Sequence, residues 1–199
     1  MVAMPAPAFD RDLSAAWSIY RHADPEAMAR AARRLIERHG RHGEAWFWAG
    51  CLHERCGRLI QADDCFRAAS RATEEPVDQP CRVSLYTFRR CVDQAVAAIP
   101  ERFRPAFAKL ALELGDYAEP FQIEGFEEPE VLGLFIGTPI GDEGGAGELT
   151  PRIHLWRRAH EHATCDTREF AAEIRTTLFH EFGHYLGYDE DGLEAIGLG

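Results

Sequence analysis

The segment HEFGHYLG, residues 180–187, constrains the fold of this chain more than any other stretch. His180 and His184 are four residues apart, so on an α-helix both side chains lie on the same face. Gly187 follows three residues later, and helices commonly end at such a glycine because it adopts a left-handed conformation without strain. The chain must therefore present this segment as the last turns of a helix.

The helix that carries this segment is predicted to begin at Asp166. Asp166 is a good N-cap, and Glu169 three residues later completes a capping box. Apolar side chains then recur every four residues, which predicts a buried stripe. The stripe consists of Phe170, Ile174, Leu178 and Phe182.

His180 and His184 are candidate ligands of one metal ion, and Glu181 is the candidate catalytic residue. Glu181 directly follows His180, so it points about 100° away around the helix and can meet a water on the metal. This is the H-E-x-x-H arrangement of zinc peptidases, in which the glutamate acts as general base. Zinc lowers the pKa of bound water from 15.7 to about 7. The predicted cofactor is Zn²⁺, and manganese, nickel or cobalt also suit these ligands.

A catalytic zinc site usually has a third protein ligand. Glu190 is the first candidate because it comes ten residues after His180, beyond the turn at Gly187 that swings the chain back. Asp191 is the alternative, followed by Asp189. A ligand from elsewhere in the chain, or water, is the remaining option, in which case the three acidic residues form a solvated turn.

Residues 80–199 have the pattern of an α+β domain. Residues 81–100 predict a helix that ends at Pro100 and buries one side. That side comprises Leu85, Phe88, Val92, Ala95 and Val96. Three short strands are predicted from AKLALEL (108–114), VLGLFIG (131–137) and RIHLW (152–156). The glycine-rich residues 141–149 are interpreted as a surface loop.

The remaining histidines of this half are weaker candidates for a site. His160 and His162 are two residues apart, a spacing that suits a strand or a loop and not a helical metal pair. We interpret both, together with His154, as ordinary core or surface histidines, with a role near the cleft as the alternative.

Residues 1–79 are predicted to form an all-α region. Apolar residues recur at steps of three and four from residue 10 to about residue 76, and one helix is predicted to end at Gly40. Within this region a set of small and aromatic residues has the spacing of a tetratricopeptide repeat. The set is Trp46, Gly50, Gly57, Ala62, Phe66 and Ala69. We interpret this half as a helical hairpin that packs on the other half, with a groove for a protein partner as the alternative.

Composition excludes several classes of partner. The net charge of −11 disfavours a broad basic face for nucleic acid. No apolar run approaches the roughly 20 residues that span a membrane, and the N-terminus lacks the features of a signal peptide. We therefore expect a cytoplasmic protein with six unpaired cysteines, which form no CxxC pair.

The second half resembles the minimal zincins, a family of small bacterial HExxH proteins regarded as metallopeptidases. The resemblance covers about residues 82–199 and is carried by VLGLFIGTPI, PRIHLWRR and HEFGHYLGYDEDGL. It implies a mixed sheet with an edge strand beside the active-site cleft, and RIHLW is our candidate for that edge, where an extended peptide could pair. Members of the family carry an aspartate where this chain has Glu190, and either carboxylate can bind zinc.

The sequence thus predicts a zinc-dependent peptidase that acts on peptides or proteins through Glu181. The alternative is a catalytically weak or inactive zincin-fold metal-binding protein that recognises a protein partner through its helical half. A metal-dependent hydrolase of a non-peptide bond is a third option, because it would use the same ligands. Neither nucleic acid nor a membrane is expected as a partner.

Overall fold

The computed structural model describes residues 7–22, 24–141, 150–188 and 192. These residues form two compact units. The first unit contains the described residues up to Gln79 together with Glu119–Glu130. The second unit contains Pro80–Ala118 and the described residues from Val131 onwards.

Four helices build the first unit, which confirms the predicted all-α region. They are α1 (Ala8–His22), α2 (Pro25–His39), α3 (Gly43–Arg55) and α4 (Leu59–Ala69). Consecutive helices pack against each other, and α1 also contacts α3. Gly40 is the C-cap of α2, as predicted. The assignment as a tetratricopeptide-like repeat stays a prediction.

The approach of α3 to α4 depends on Gly50. A Cβ atom at this position would lie 2.7 Å from Cε1 of Phe66, so any larger residue would collide with the aromatic ring. The small residue of the predicted pattern therefore has a packing role, because it lets two helix backbones come close.

Four helices and three short strands build the second unit, in agreement with the predicted α+β class. The helices are α5 (Leu85–Ala97), α6 (Arg104–Phe107), α7 (Arg157–His162) and α8 (Thr167–Tyr185). The strands are β1 (Ala111–Gly115), β2 (Gly133–Ile136) and β3 (Arg152–Trp156). All three predicted strands are present. β1 and β2 are shorter than the predicted 108–114 and 131–137, and β1 ends one residue later than predicted.

The strand order in the sheet is β1-β3-β2, so β3 is the central strand. It pairs with β1 in parallel and with β2 antiparallel. The prediction that RIHLW forms the edge is therefore wrong, and among the described strands the edge beside α8 is β2. The alternation of buried and polar residues is similar for central and edge strands, so the sequence alone could not distinguish them.

The core of the second unit lies between α5, α8 and the sheet. The predicted stripe of α8 is confirmed, since Phe170, Ile174, Leu178 and Phe182 are each 0% exposed. Leu85 was predicted for the buried side of α5 but is 54% exposed. The helix begins only at this residue, after the N-cap Ser84, and its first three residues are not buried.

Residues Glu119–Glu130 lie with the first unit although they connect β1 to β2 in the chain. Tyr20 donates its hydroxyl to the carboxylate of Glu130. Arg21 donates to the backbone carbonyls of Glu127 and Glu128, the latter at 2.7 Å. The segment is thus fastened to the end of α1, an arrangement that the sequence did not predict.

None of the described helices is long and apolar enough to cross a membrane. The six cysteines all lie within the described residues and form no disulfide bond, in agreement with the sequence analysis.

Candidate metal centre

The helix that carries the HExxH segment is capped at both ends by local hydrogen bonds. At its start, the carboxylate of Asp166 accepts from the backbone N–H groups of Arg168 and Glu169, at 2.7 and 2.9 Å. The carboxylate of Glu169 accepts from the N–H of Cys165 at 3.0 Å. The predicted cap is therefore present. In a standard capping box the glutamate accepts from the N–H of the N-cap residue, whereas Glu169 accepts from the residue before it.

At its end, α8 stops as predicted for a glycine terminator. Gly187 has φ +84 and donates to the carbonyl of His184 at 3.0 Å. Tyr188 donates to the carbonyl of Gly183, also at 3.0 Å. These two bonds form a Schellman motif. The chain consequently turns away from the helix axis three residues after His184.

His180 and His184 bring their Nε2 atoms to within 2.9 Å of each other. Their rings are almost perpendicular, at 89°, and both side chains are partly exposed. Two nitrogen ligands at 2.0–2.1 Å from a tetrahedral zinc ion are about 3.3 Å apart. A small movement of either ring would therefore let both nitrogens bind one ion, so the donor set fits the expected metal.

The predicted third ligands Glu190, Asp191 and Asp189 lie outside the described residues. Among the residues that the structure does describe, no group of three or more His, Cys, Asp or Glu side chains could hold a metal ion. The assignment of the third ligand therefore stays a prediction.

Glu181 is held at the outer edge of the sheet. Its Oε2 atom accepts a hydrogen bond of 2.7 Å from the backbone N–H of Phe135 on β2. On the opposite side of this strand, the carbonyl of Leu132 accepts from the N–H of Trp156. Successive residues of an antiparallel strand direct their backbone groups to alternate sides of the strand. Phe135 comes three residues after Leu132, so its N–H points away from β3. The candidate base thus lies beside the sheet edge and next to His180 in the chain.

The close approach of β2 to α8 depends on Gly133. A Cβ atom there would lie 2.6 Å from Cγ2 of Thr177, 3.0 Å from Cγ of Glu181 and 3.1 Å from the carbonyl oxygen of His154. Only glycine fits at this position without displacing its neighbours. Gly133 was not predicted as a site residue, although a glycine inside a strand pattern often marks such an approach.

His160 is a buried structural histidine. Its Nδ1 lies 2.8 Å from the carbonyl oxygen of Trp156 and therefore carries the hydrogen. Its Nε2 lies 3.1 Å from Oγ1 of Thr177 and accepts from that hydroxyl. Burial lowers the pKa of His160 to about 4, against the effect of the bond to Trp156. His160 is thus neutral and holds Thr177, one helical turn before Glu181.

The other two histidines of this region do not join the HExxH pair in the described structure. His154 stacks on Trp156 in the sheet, with the ring centroids 5.7 Å apart, and lies 3.5 Å from a carboxylate oxygen of Glu113. Burial lowers the pKa of His154. His160 and His162 both lie in α7, and His162 is its last residue. The prediction that their spacing suits a strand or a loop is therefore wrong.

A buried ionic network holds α7 in place. Arg157 makes two bonds to the carboxylate of Asp116, at 2.8 and 3.0 Å, and one to the carbonyl of Val83 at 2.7 Å. Glu161 is 0% exposed and accepts from the N–H of Val83 and from Arg158. The network connects residues that are distant in the chain, and the sequence offered no local pattern for it.

The model of the zincin-like metallopeptidase family matches residues 109–199. Residues 109–199 are therefore similar to this family. The zincin-like region contains β1, β2, β3, α7 and α8, and therefore all the residues of the candidate metal centre. The predicted resemblance is confirmed for this region, and no curated protein matches the chain.

Proposed function

We propose that this protein is a metal-dependent peptidase with its active site at the end of α8. The observation that carries the proposal is the convergence of the two Nε2 atoms, 2.9 Å apart, on a helix that also holds Glu181 at the sheet edge. The match of residues 109–199 to the model of a zincin-like metallopeptidase family supports it.

His180 and His184 would hold the ion through their Nε2 atoms. Glu190 is proposed as the third ligand, with Asp191 as the alternative. When bound, zinc supplies Lewis acidity toward a peptide carbonyl and makes water acidic enough to lose a proton near neutral pH.

Glu181 would act as the general base and then as the general acid. The N–H of Phe135 donates to its Oε2 atom at 2.7 Å and so orients the carboxylate. We assign proton transfer to this carboxylate, which would take the proton of the attacking water. It would then deliver that proton to the leaving amine, so the carboxylate returns to its charged state.

The position of β2 supports a peptide as the proposed substrate. Gly133 and Phe135 alternate with the residues whose backbone groups hydrogen-bond to β3, so their own backbone groups face the side of Glu181. The N–H of Phe135 already donates to Glu181, so an extended peptide could add to this edge through the backbone of Gly133 and the carbonyl of Phe135. Such a strand would pass the two histidines in a fixed register, which indicates peptides or unfolded protein segments as substrates.

The first experiment is elemental analysis of protein purified without a histidine tag. We expect about one equivalent of zinc, lost in the His180→Ala/His184→Ala double variant. Cleavage of a peptide library by Glu181→Gln follows, and we expect its turnover to fall by about 100-fold or more while its metal content is unchanged. Full activity in Glu181→Gln, or cleavage of no peptide by the metal-loaded parent, would refute the peptidase assignment.

A further inference from the structure

A groove runs between α1 and α2 on the surface of the first unit, far along the chain from the HExxH segment. Its volume is about 330 Å³, at the lower end of the range for ligand sites. Its apolar lining comprises Ala15, Ala16 and Ile19 of α1 with Ala27, Ala31 and Leu35 of α2. We call this the α1–α2 groove.

The alanines explain why a groove exists here. If α1 and α2 carried larger side chains along the line where their surfaces meet, those side chains would fill the space between the helices. Here four of the six apolar lining residues end at Cβ, so the two helix surfaces leave a trough with Ile19 and Leu35 as its larger apolar side chains. The trough is suited to apolar side chains from another molecule.

The polar part of the lining has a surplus of positive charge. Asp12 is 7% exposed, and its carboxylate is bound by Arg34 at 2.9 Å, Arg38 at 2.9 Å and His39 at 2.8 Å. Arg30, which also lines the groove, makes an exposed ion pair with Glu26 at 3.5 Å. Such a pair contributes little stability, so Arg30 can exchange it for another carboxylate.

The helix that supplies these arginines is basic in an acidic protein. α2 contains four arginines and two glutamates, the largest positive balance among the described helices, whereas the whole chain has a net charge of −11. The side chains of Arg30 and Arg34 are 69% and 62% exposed. The rim of the groove therefore offers the guanidinium group of Arg30 and the exposed part of Arg34, which also binds Asp12 at 2.9 Å. Guanidinium groups form strong, charge-assisted hydrogen bonds with carboxylates.

We propose that the α1–α2 groove binds an acidic amphipathic helix of a partner protein. Its apolar side chains would lie among the alanines, and its carboxylates would contact Arg30 and Arg34. A helix is the fitting shape because ridges of one helix pack into the groove between two others. This site is distinct from the metal centre and does not depend on peptidase activity.

The test uses a fluorescently labelled helical peptide of about 15 residues composed of Leu, Ala and Glu, titrated with the full-length protein. One matched peptide replaces Glu by Lys, and another replaces Leu by Ser. We expect saturable binding of the first peptide, measured by fluorescence anisotropy. Each matched peptide should bind about ten-fold more weakly or worse.

Three variants locate the site. Ala15→Trp fills the groove from an exposed position, and Arg30→Glu reverses one rim charge. We expect each to weaken binding by about ten-fold. Arg33→Glu is the matched control, because Arg33 is exposed on the same helix but does not line the groove, and its effect should stay below about two-fold. Circular dichroism would show that all three variants are folded.

Several outcomes would overturn the proposal. The first is the absence of saturable binding, and the second is unchanged binding in Ala15→Trp. The third is an equal loss of affinity in Arg30→Glu and Arg33→Glu, which would indicate general charge attraction. Loss of binding upon metal chelation would place the peptide at the metal centre. Dimerisation of the protein that Ala15→Trp abolishes would show that the groove takes a second copy of this chain.

Discussion

Gly133 determines how β2 and α8 meet, and with them the setting of the candidate base. The absence of a side chain lets the strand backbone approach Thr177 and Glu181 closely enough for the N–H of Phe135 to reach the carboxylate of Glu181. A single residue that makes no hydrogen bond of its own to the helix therefore controls the geometry of the site.

Gly133→Ala should lower both stability and turnover. The new methyl group would lie 2.6 Å from Cγ2 of Thr177, a branched side chain with few alternative rotamers, so β2 must move outward. We expect a loss of about 1–3 kcal/mol in the free energy of unfolding and a fall of about ten-fold or more in kcat. Urea denaturation and peptide cleavage measure the two effects.

Two further variants test this explanation. Gly115→Ala, in β1 of the same sheet, places its methyl group no closer than 3.3 Å to Trp156 and should have a much smaller effect. Thr177→Ser removes the colliding methyl group, so the double variant Gly133→Ala/Thr177→Ser should recover part of the lost stability. Losses that simply add in the double variant would contradict a collision with Thr177.

His160 should make the protein less stable in mild acid. Its pKa is 6.5 in the unfolded chain and about 4 in the folded protein because burial disfavours the charged form. The unfolded state therefore binds more protons between these pH values. Stability is fully present above pH 6.5 and falls as the pH decreases towards 4, by on the order of 3 kcal/mol.

Urea denaturation at pH 7.5 and 4.5, with a chelator present, would measure this contribution. His160→Gln should show a smaller loss of stability between the two pH values than the parent protein. His22→Gln, at an exposed position on α1, is the matched control and should behave as the parent. If all three proteins lose the same amount of stability between the two pH values, the acid sensitivity comes from other groups.

At the scale of elements, the end of α8 determines where the chain goes after the two histidines. Gly187 has φ +84, and a Cβ atom there would meet no atom closer than 3.7 Å. The cost of a substitution is therefore conformational and not steric. Gly187→Ala should reduce stability by about 1–2 kcal/mol.

The comparison with Gly187→Asn makes this prediction specific. Asparagine tolerates the left-handed conformation better than alanine, so it should retain more of the stability. Zinc affinity, measured by competition with a chelator, should follow the same order if the residues after the turn complete the metal centre. Equal affinities in both variants would argue against a ligand from Glu190, Asp191 or Asp189.

The end of α1 holds the segment Glu119–Glu130 by hydrogen bonds. Arg21 donates to two of its carbonyls and Tyr20 to one of its carboxylates. In Arg21→Ala we expect faster amide hydrogen exchange within this segment, measured by mass spectrometry. Arg33→Ala, at an exposed position of α2, should leave exchange unchanged, and the same acceleration in both variants would contradict a local anchor.

For the whole molecule, the chain path joins the two units more than once. It leaves the second unit after Ala118, runs with the first unit through Glu119–Glu130, and returns at Val131 shortly before β2. A variant without residues 1–79 should therefore be less soluble, because it lacks the rest of the unit to which Glu119–Glu130 belongs, including Ile123, which is 2% exposed in the intact protein.

A second change should reverse this defect. If Glu119–Glu130 is replaced by a short Gly/Ser linker in the shortened protein, we expect solubility to recover. Zinc content should be similar in both forms, because His180 and His184 belong to the second unit. A shortened protein that is as soluble and thermally stable as the intact chain would refute this account.

The sequence determined the features of this protein that depend on neighbours a few residues apart. The N-cap at Asp166, the stop at Gly187 and the pairing of His180 with His184 follow from the geometry of a single helix, whose interactions extend over three or four residues. The existence of the three strands and the all-α character of the first half have the same local origin.

Only the tertiary structure decided which distant elements meet. The central place of β3, the approach of Gly133 to Thr177 and Glu181, and the attachment of Glu119–Glu130 to α1 join residues that no periodic pattern relates. Such contacts depend on how the apolar faces of all elements are buried together, because each face alone fits several partners. The HExxH residues could therefore be identified from the sequence, whereas the strand that positions Glu181 could not.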